Sequence, residues 1–265
     1  MQSVALALVL GYQLNPGIVR DYDLTVAFDG TIPILGGQEG KAVVNLGFRL
    51  EGLKPAKEGQ QKAFSELTKA EFVFNGSKLP LGLENVQDFF PKTTIELLAD
   101  GTIQSSDAPK KDLPIKLPGL DIQRFPDISY LPVVFPKGPL EIGNTWSFEK
   151  PFGGSLMKYV CTLSSIEKEV AKISIRIDQS YTVLEDSAMQ VVTEKADASN
   201  EVRTRMTATG EVLFDTKRGL VDAYTMEGLA DSDVKSLETN EVTKRKLKMS
   251  VKLNQAKRPT AGTPD

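Results

Sequence analysis

The residues that could do chemistry are few, and their spacing is informative mainly by what it excludes. The chain contains no histidine among its 265 residues. Histidine zinc sites, Ser-His-Asp triads, Cys-His pairs and imidazole acid–base catalysis are therefore closed to it. The single cysteine, Cys161, can form no intrachain disulfide. It lies in the alternating run Met157, Tyr159, Cys161, Leu163, which predicts a small core side chain facing inward. Paired carboxylates are the remaining familiar catalytic device, with Asp21 and Asp23, Glu66 and Glu71, or Glu211 and Asp215 as candidates. Glycoside hydrolysis would need two such groups across a cleft, with aromatic platforms for the sugar. The aromatic share is 7% and there is one tryptophan, so these acids read as solvated strand faces and turns. Neither G-x-G-x-x-G nor G-x-x-x-x-G-K-[ST] occurs, and the phosphate cradles of dinucleotide and P-loop sites are absent with them. Gly36-Gly37 and Gly153-Gly154 read as turns, and no Asp/Asn spacing matches a calcium hand. The expectation is a chain with no catalytic residue, no cofactor and no metal site.

Two further patterns bear on partners. Lys244, Arg245, Lys246, Lys248 and Lys252 could touch anionic headgroups or wall polymer. They read more simply as one solvated strand face, opposite Leu247 to Leu253, with lysines guarding it against aggregation. Thr204, Thr207 and Thr209 read as β propensity. The net charge of −3 argues against a broad nucleic-acid surface.

Long strands must position whatever the chain does. Ile18, Arg20, Tyr22, Leu24, Val26 and Phe28 alternate against Asp21, Asp23, Thr25 and Ala27. That period of two is a half-buried strand, closed by Asp29-Gly30. Val44, Leu46, Phe48 and Leu50 mark the next one. Glu58 to Ala70 is read as a short helix on the apolar spacing Ala63, Phe64, Leu67, Ala70. Thr94 to Leu98 and Thr102 to Gln104 predict a hairpin about Asp100-Gly101. In the second half, strands are predicted over 145–149, 156–166, 172–183, 189–193, 202–214, 220–226 and 247–253. At the start, Val4 to Leu10 alternates and runs into the turn Asn15-Pro16-Gly17. It is read as a first strand, with Met1 replacing a removed export signal. No run reaches the length of a membrane-spanning helix.

Residues 109–139 hold seven prolines, together with Phe125, Tyr130, Val134 and Phe135. Proline keeps this segment out of a sheet interior, while the apolar content predicts burial rather than a flexible linker. The organisation expected is an N-terminal β lobe over 1–106, a packed connector over 107–140, a C-terminal β lobe over 141–253 and a frayed tail over 254–265. Glu96 to Ile103 and Glu211 to Val221 form two similar hairpins. They leave open a duplication of the halves and generic hairpin chemistry.

The strand ending in Asn15-Pro16-Gly17, the Tyr22 strand and the run Phe135 to Trp146, with its Gly143-Asn144-Thr145-Trp146 segment, together resemble a known layout. It is that of bacterial exported β-sheet proteins of uncharacterised function, distantly similar to periplasmic lipoprotein carriers. The resemblance covers about two thirds of the chain as layout. It implies curved antiparallel sheets that cup acyl chains beneath a short helical lid. The carriers' ligand residues have no counterparts here. The expectations are a mainly β fold of antiparallel curved sheets, half-barrel or sandwich-like, with few short helices. The role expected is a non-enzymatic, secreted or cell-envelope binding or scaffolding protein. Its partner would be an apolar small molecule, a lipid or an envelope protein. The alternatives are an interaction module without a ligand, and a carboxylate-dependent glycan hydrolase.

Overall fold

A computed structural model describes residues 7–32, 38–80, 83, 92–107, 131–152 and 155–256. The alternating segments form one antiparallel sheet of 13 strands. These are β1 (Val19–Ile32), β2 (Gln38–Leu53), β3 (Gln60–Phe74), β4 (Ser77–Lys78), β5 (Thr93–Leu98), β6 (Ile103–Ser106) and β7 (Thr145–Phe152). They continue with β8 (Ser155–Glu167), β9 (Val170–Glu185), β10 (Val191–Val192), β11 (Asn200–Asp215), β12 (Leu220–Ser236) and β13 (Val242–Gln255). The order is β6-β5-β3-β2-β1-β13-β12-β11-β9-β8-β7, with β10 on β9 and β4 on β3. The strands before and after the proline-rich segment thus share one sheet, joined where β1 pairs β13 with Tyr22 opposite Gln255. Helix among the described residues is limited to Leu83 and the 3-10 turn Lys195–Asp197.

The segment expected to be helical is strand β3. Its partner register passes from Phe48 opposite Leu67 to Gly47 opposite Lys69, so Thr68 is an extra residue in the ladder. The bulge moves the inward set from Ala63, Ser65 and Leu67 to Ala70, Phe72 and Phe74. A strand that changes parity once places apolar residues three and four apart, which imitates a helix. Three more register shifts leave Gln104, Ser164 and Asp222 as extra residues, all toward one end of the sheet. Bulges bend strands and increase twist, and that end is where the sheet curls.

The curl can be measured by what bridges it. Residues 7–10, the described part of the first strand expected over 4–10, open a strap that runs through residue 15 instead. Leu8 pairs with Leu140 only as an isolated bridge. The Tyr12 N–H donates to Ala99 O at 2.7 Å and the Gln13 N–H to Gly219 O at 2.9 Å. Ala99 follows β5 and Gly219 precedes β12, strands five steps apart in the sheet order. On a flat sheet that separation would be about 24 Å, yet neighbouring residues of the strap reach both. Its partners are the ends of different strands, so it joins no ladder. The end of the proline-rich segment closes the sheet further. The Phe135 N–H donates to Asp100 O beside β5, while the Val134 and Leu131 carbonyls accept from Trp146 Nε1 and Lys150 Nζ of edge strand β7. The sheet is therefore a funnel whose two margins nearly meet at the narrow end.

The core lies inside it. Tyr12, Phe135 and Phe214 stack edge-on or tilted, with centroids 4.9–5.5 Å apart. Leu10, Leu14, Leu131, Val133 and Leu140 are buried around them. Of the expected connector over 107–140, residues 131–133, Phe135 and Leu140 are buried and 137–139 are exposed, while Phe125 and Tyr130 lie outside the described residues. The Tyr12 hydroxyl donates to Val133 O at 3.0 Å. Two glycines permit this crowding. A Cβ on Gly52 would lie 2.2 Å from Asn15 O, and one on Gly101 would lie 2.6 Å from the Tyr12 ring.

Candidate functional site

The inward face of the funnel carries most of the buried apolar side chains of the described residues. Register aligns its side chains in rows that run across the strands. Leu24 stands beside Leu253 and Leu46, Val26 beside Val251 and Val44, and Phe28 beside Met249. Met226, Ala208, Ile177 and Tyr159 continue this wall through the other half, and all four are buried. Cys161 belongs to it as expected. Burial pushes its thiol up to about 12, against a smaller opposing pull from Lys150.

One row departs from this character. On β9, β11, β12 and β13 the register places Tyr181, Thr204, Ser232 and Arg245 side by side. Thr204 Oγ1 and Ser232 Oγ are 2.8 Å apart, and the Tyr181 phenol is hydrogen-bonded to Thr204. Burial raises that phenol to about 12. Gln179 Nε2 donates to Ser155 Oγ of β8 at 2.8 Å. Arg245 reaches across from β13 to β9, where its guanidinium donates to Glu185 Oε2 at 2.6 Å. The register sets Val234 and Val202, both buried, between these two residues.

Arg245 corrects the expected basic face. It shares the parity of Leu247 and points inward, whereas Lys244, Lys246, Lys248 and Lys252 are exposed on the other side. There the basic strand β13 lies against acidic β12, with Lys244 paired to Asp233 and Lys246 to Asp231. A strand with a period of two cannot put five charges at 244, 245, 246, 248 and 252 on one face.

The candidate carboxylates do not converge on a shared pocket among the described residues. Arg49 Nε donates to Asp21 at 2.8 Å, while Asp23 is exposed. Glu66 is paired with Lys92 and Glu71 with Lys78. Glu211 is paired with Lys172, and Asp215 with Arg218. No group of three or more acidic or cysteine side chains is placed to hold a metal among the described residues.

The outward face carries an open depression of about 770 Å³ over Ala27, Val43, Thr207 and Leu229, and another of about 600 Å³ over Thr209, Thr225 and Ser174. Together they form a waist across the strands, as expected of a twisted sheet curled into a funnel. Short side chains and mutually paired charges line it, including Lys41 with Asp29 and Arg176 with Asp178. The row of polar inward residues was not legible as a site from sequence. Its one signal is that strands β9, β11, β12 and β13 each interrupt their apolar alternation, at positions that only the register shows to be level.

No family model and no curated protein sequence matches the chain. Among solved structures, lipovitellin, in a structure described by its lipid–protein interactions, is similar with a TM-score of 0.50 at 13% identity. The match covers 95% of this chain and 27% of that one. The chain thus spans about a quarter of that protein's length, and the likeness is one of fold. A second match, DynF from the dynemicin biosynthesis pathway of Micromonospora chersina, has a TM-score of 0.26 at 6% identity. It covers 97% of this chain and 88% of that one. No described helix is long and apolar enough to cross a membrane.

Proposed function

We propose that the chain is a non-enzymatic binding protein whose funnel holds an apolar or lipid-like ligand against its inward face, in a secreted or cell-envelope setting. The observation that carries this reading is the apolar wall described above, broken by one polar row and closed at the narrow end by the strap and by residues 131–140. Apolar surface is released from water when an acyl chain lies on such a wall. The fold it shares with lipovitellin supports the reading, since that structure is described by lipid–protein interactions. Candidate acids that, Asp23 apart, are each paired with a cation give no support to the hydrolase alternative.

Native mass spectrometry of protein purified without detergent tests the proposal, followed by titration of the stripped protein with a fluorescent fatty-acid analogue. A retained acyl mass and saturable, displaceable fluorescence are expected. Bare protein with no saturable uptake would leave the funnel as an ordinary packed core and the proposal wrong. Fractionation of cells expressing the native gene tests the envelope setting, which cytosolic recovery would refute.

A further inference from the structure

The β3–β4 hairpin carries a motif that the fold does not explain. Asn75-Gly76-Ser77 has the N-x-[ST] spacing of an asparagine-linked glycosylation acceptor. No other asparagine of the chain has Ser or Thr two residues further on. The turn accounts for two of the three residues. Phe74 pairs with Ser77, so Asn75 and Gly76 form the loop, with φ +47° and +81°. Left-handed backbone at both positions is the primed hairpin turn that favours Asn-Gly. That turn sets no requirement at the position after it. Ser77 is nonetheless a hydroxyl residue, it is exposed, and its side chain takes part in no hydrogen bond among the described residues.

The fold holds the Asn75 amide ready for modification. The Lys41 N–H donates to Asn75 Oδ1 at 2.8 Å, and the Asn75 N–H donates to Lys41 O at 2.8 Å. Gly40 leaves room for this contact, since a Cβ there would lie 2.7 Å from Asn75 Oδ1. A carboxamide carries its acceptor oxygen and its NH2 on diverging bonds of one plane. Fixing Oδ1 against β2 therefore turns Nδ2 away from that strand. Asn75 to Lys78 are all exposed, and a Cβ on Gly76 would meet nothing within 4 Å among the described residues. A glycan on Nδ2 keeps the carbonyl oxygen, so the bond from Lys41 survives its addition. The strap is bonded by Gln61, at the opposite end of β3, and a bulky group on the hairpin leaves that closure undisturbed.

Resting on the secreted setting proposed above, we infer that Asn75 is the acceptor of an asparagine-linked glycan. The donor is an oligosaccharide on a lipid pyrophosphate, and a transferase of the export membrane adds it. Nδ2 attacks C1 of the first sugar. The Nδ2–C1 bond forms and the bond from C1 to the pyrophosphate oxygen breaks. The lipid pyrophosphate leaves with that electron pair, one Nδ2 proton passes to a base of the transferase, and nothing is oxidised or reduced. The glycan then stands as a bulky, solvated cover over the hairpin.

The test weighs one peptide. Protein from cells expressing the native gene is digested with trypsin, which releases Ala70–Lys78 between Lys69 and the next residue after Lys78. The peptide is measured before and after enzymatic removal of asparagine-linked glycans in heavy-oxygen water. A sugar mass on this peptide is expected, replaced after the enzyme by heavy-labelled aspartate at position 75. A sample without the enzyme reads spontaneous deamidation of the Asn-Gly pair. Ser77→Ala should abolish the sugar mass with an unchanged thermal melt, because Asn75 and the turn are untouched. Ser77→Thr should retain it, and Asn75→Gln should lose it. Exported protein with bare Asn75, or a glycan that persists in Ser77→Ala, would overturn the acceptor assignment and leave the secreted setting in place. Recovery of the native protein from the cytosol would overturn that setting and this inference with it.

Discussion

Replacing Gly52 by alanine tests the strap that gives the funnel its closed end. Gly52 faces inward on β2, opposite Ala63. An alanine Cβ there would lie 2.2 Å from Asn15 O and 2.9 Å from Leu14 O. Both are backbone atoms, so no rotamer relieves the clash, and the strap must retreat by roughly 1 Å to reach ordinary separation. Retreat breaks the bonds from the Gly17 N–H to Gly52 O and from the Gly52 N–H to Ile18 O, now 2.9 and 2.8 Å. These are worth about 1 kcal/mol each. It also loosens Leu14, which is 2% exposed and whose full burial is worth about 1.5–3 kcal/mol. A loss of about 3 kcal/mol is expected. Gly59→Ala is the control. Gly59 has φ +79° with open space around the missing Cβ, so it reports backbone strain alone, about 1–2 kcal/mol. Urea unfolding followed by the fluorescence of Trp146, the single tryptophan, measures both variants. The indole N–H donates to Val134 O, so this probe reads the closure directly. If Gly52→Ala costs no more than Gly59→Ala, the strap does not brace the sheet and the reasoning fails.

Tyr12→Phe removes the hydroxyl that donates to Val133 O and accepts from the Val133 N–H. It should cost about 1–3 kcal/mol in the same unfolding assay. Cys161, its thiol raised to about 12 by burial, should resist iodoacetamide at pH 8 in native protein and react once urea unfolds it. The sign of its linkage follows. The unfolded thiol ionises near about 8.5 and the folded one near 12, so its contribution to stability is full below that window and falls as pH rises through it. A Cys161→Ala variant should lose less stability between pH 8 and 11 than the parent, and equal losses would contradict the burial. Glu185→Ala strands Arg245, whose side chain is only 16% exposed, and should cost about 3–5 kcal/mol. The double change Glu185→Leu with Arg245→Met should recover most of that loss, and a thermal-melt series distinguishes the two outcomes.

Much of the fold was legible because long strands write their faces into the sequence. The alternations of β1, β2, β9, β11 and the end of β13 coincide with the buried pattern, Tyr22 to Phe28 and Ile173 to Gln179 among them. Legibility ended where a single residue changes parity or where a partner is distant. Thr68 turned β3 into an apparent helix, because one inserted residue converts a spacing of two into spacings of three and four. Arg245 was grouped with its lysine neighbours because charge is visible in sequence, whereas its partner Glu185 is 60 residues away. The strap alternates like a strand, yet its hydrogen bonds go to the ends of several hairpins, and no local pattern encodes that. The polar row was hidden for the same reason, since its members become neighbours only through register.

The seam between β1 and β13 has a consequence for how the chain acquires its structure. These strands stand together near the middle of the sheet, with Tyr22 opposite Gln255, although almost the whole sequence separates them. Hairpins such as β1–β2 and β11–β12 can form as soon as they are synthesised. The two half-sheets they build each keep an unsatisfied edge until the last strand emerges. Such late, long-range pairing makes folding slow and leaves open strand edges that other chains can join. A newly made chain therefore passes through a stage in which β1 on one side and β12 on the other await the same strand. Anything that holds the chain unfolded until synthesis is complete would favour the correct zipper over intermolecular pairing.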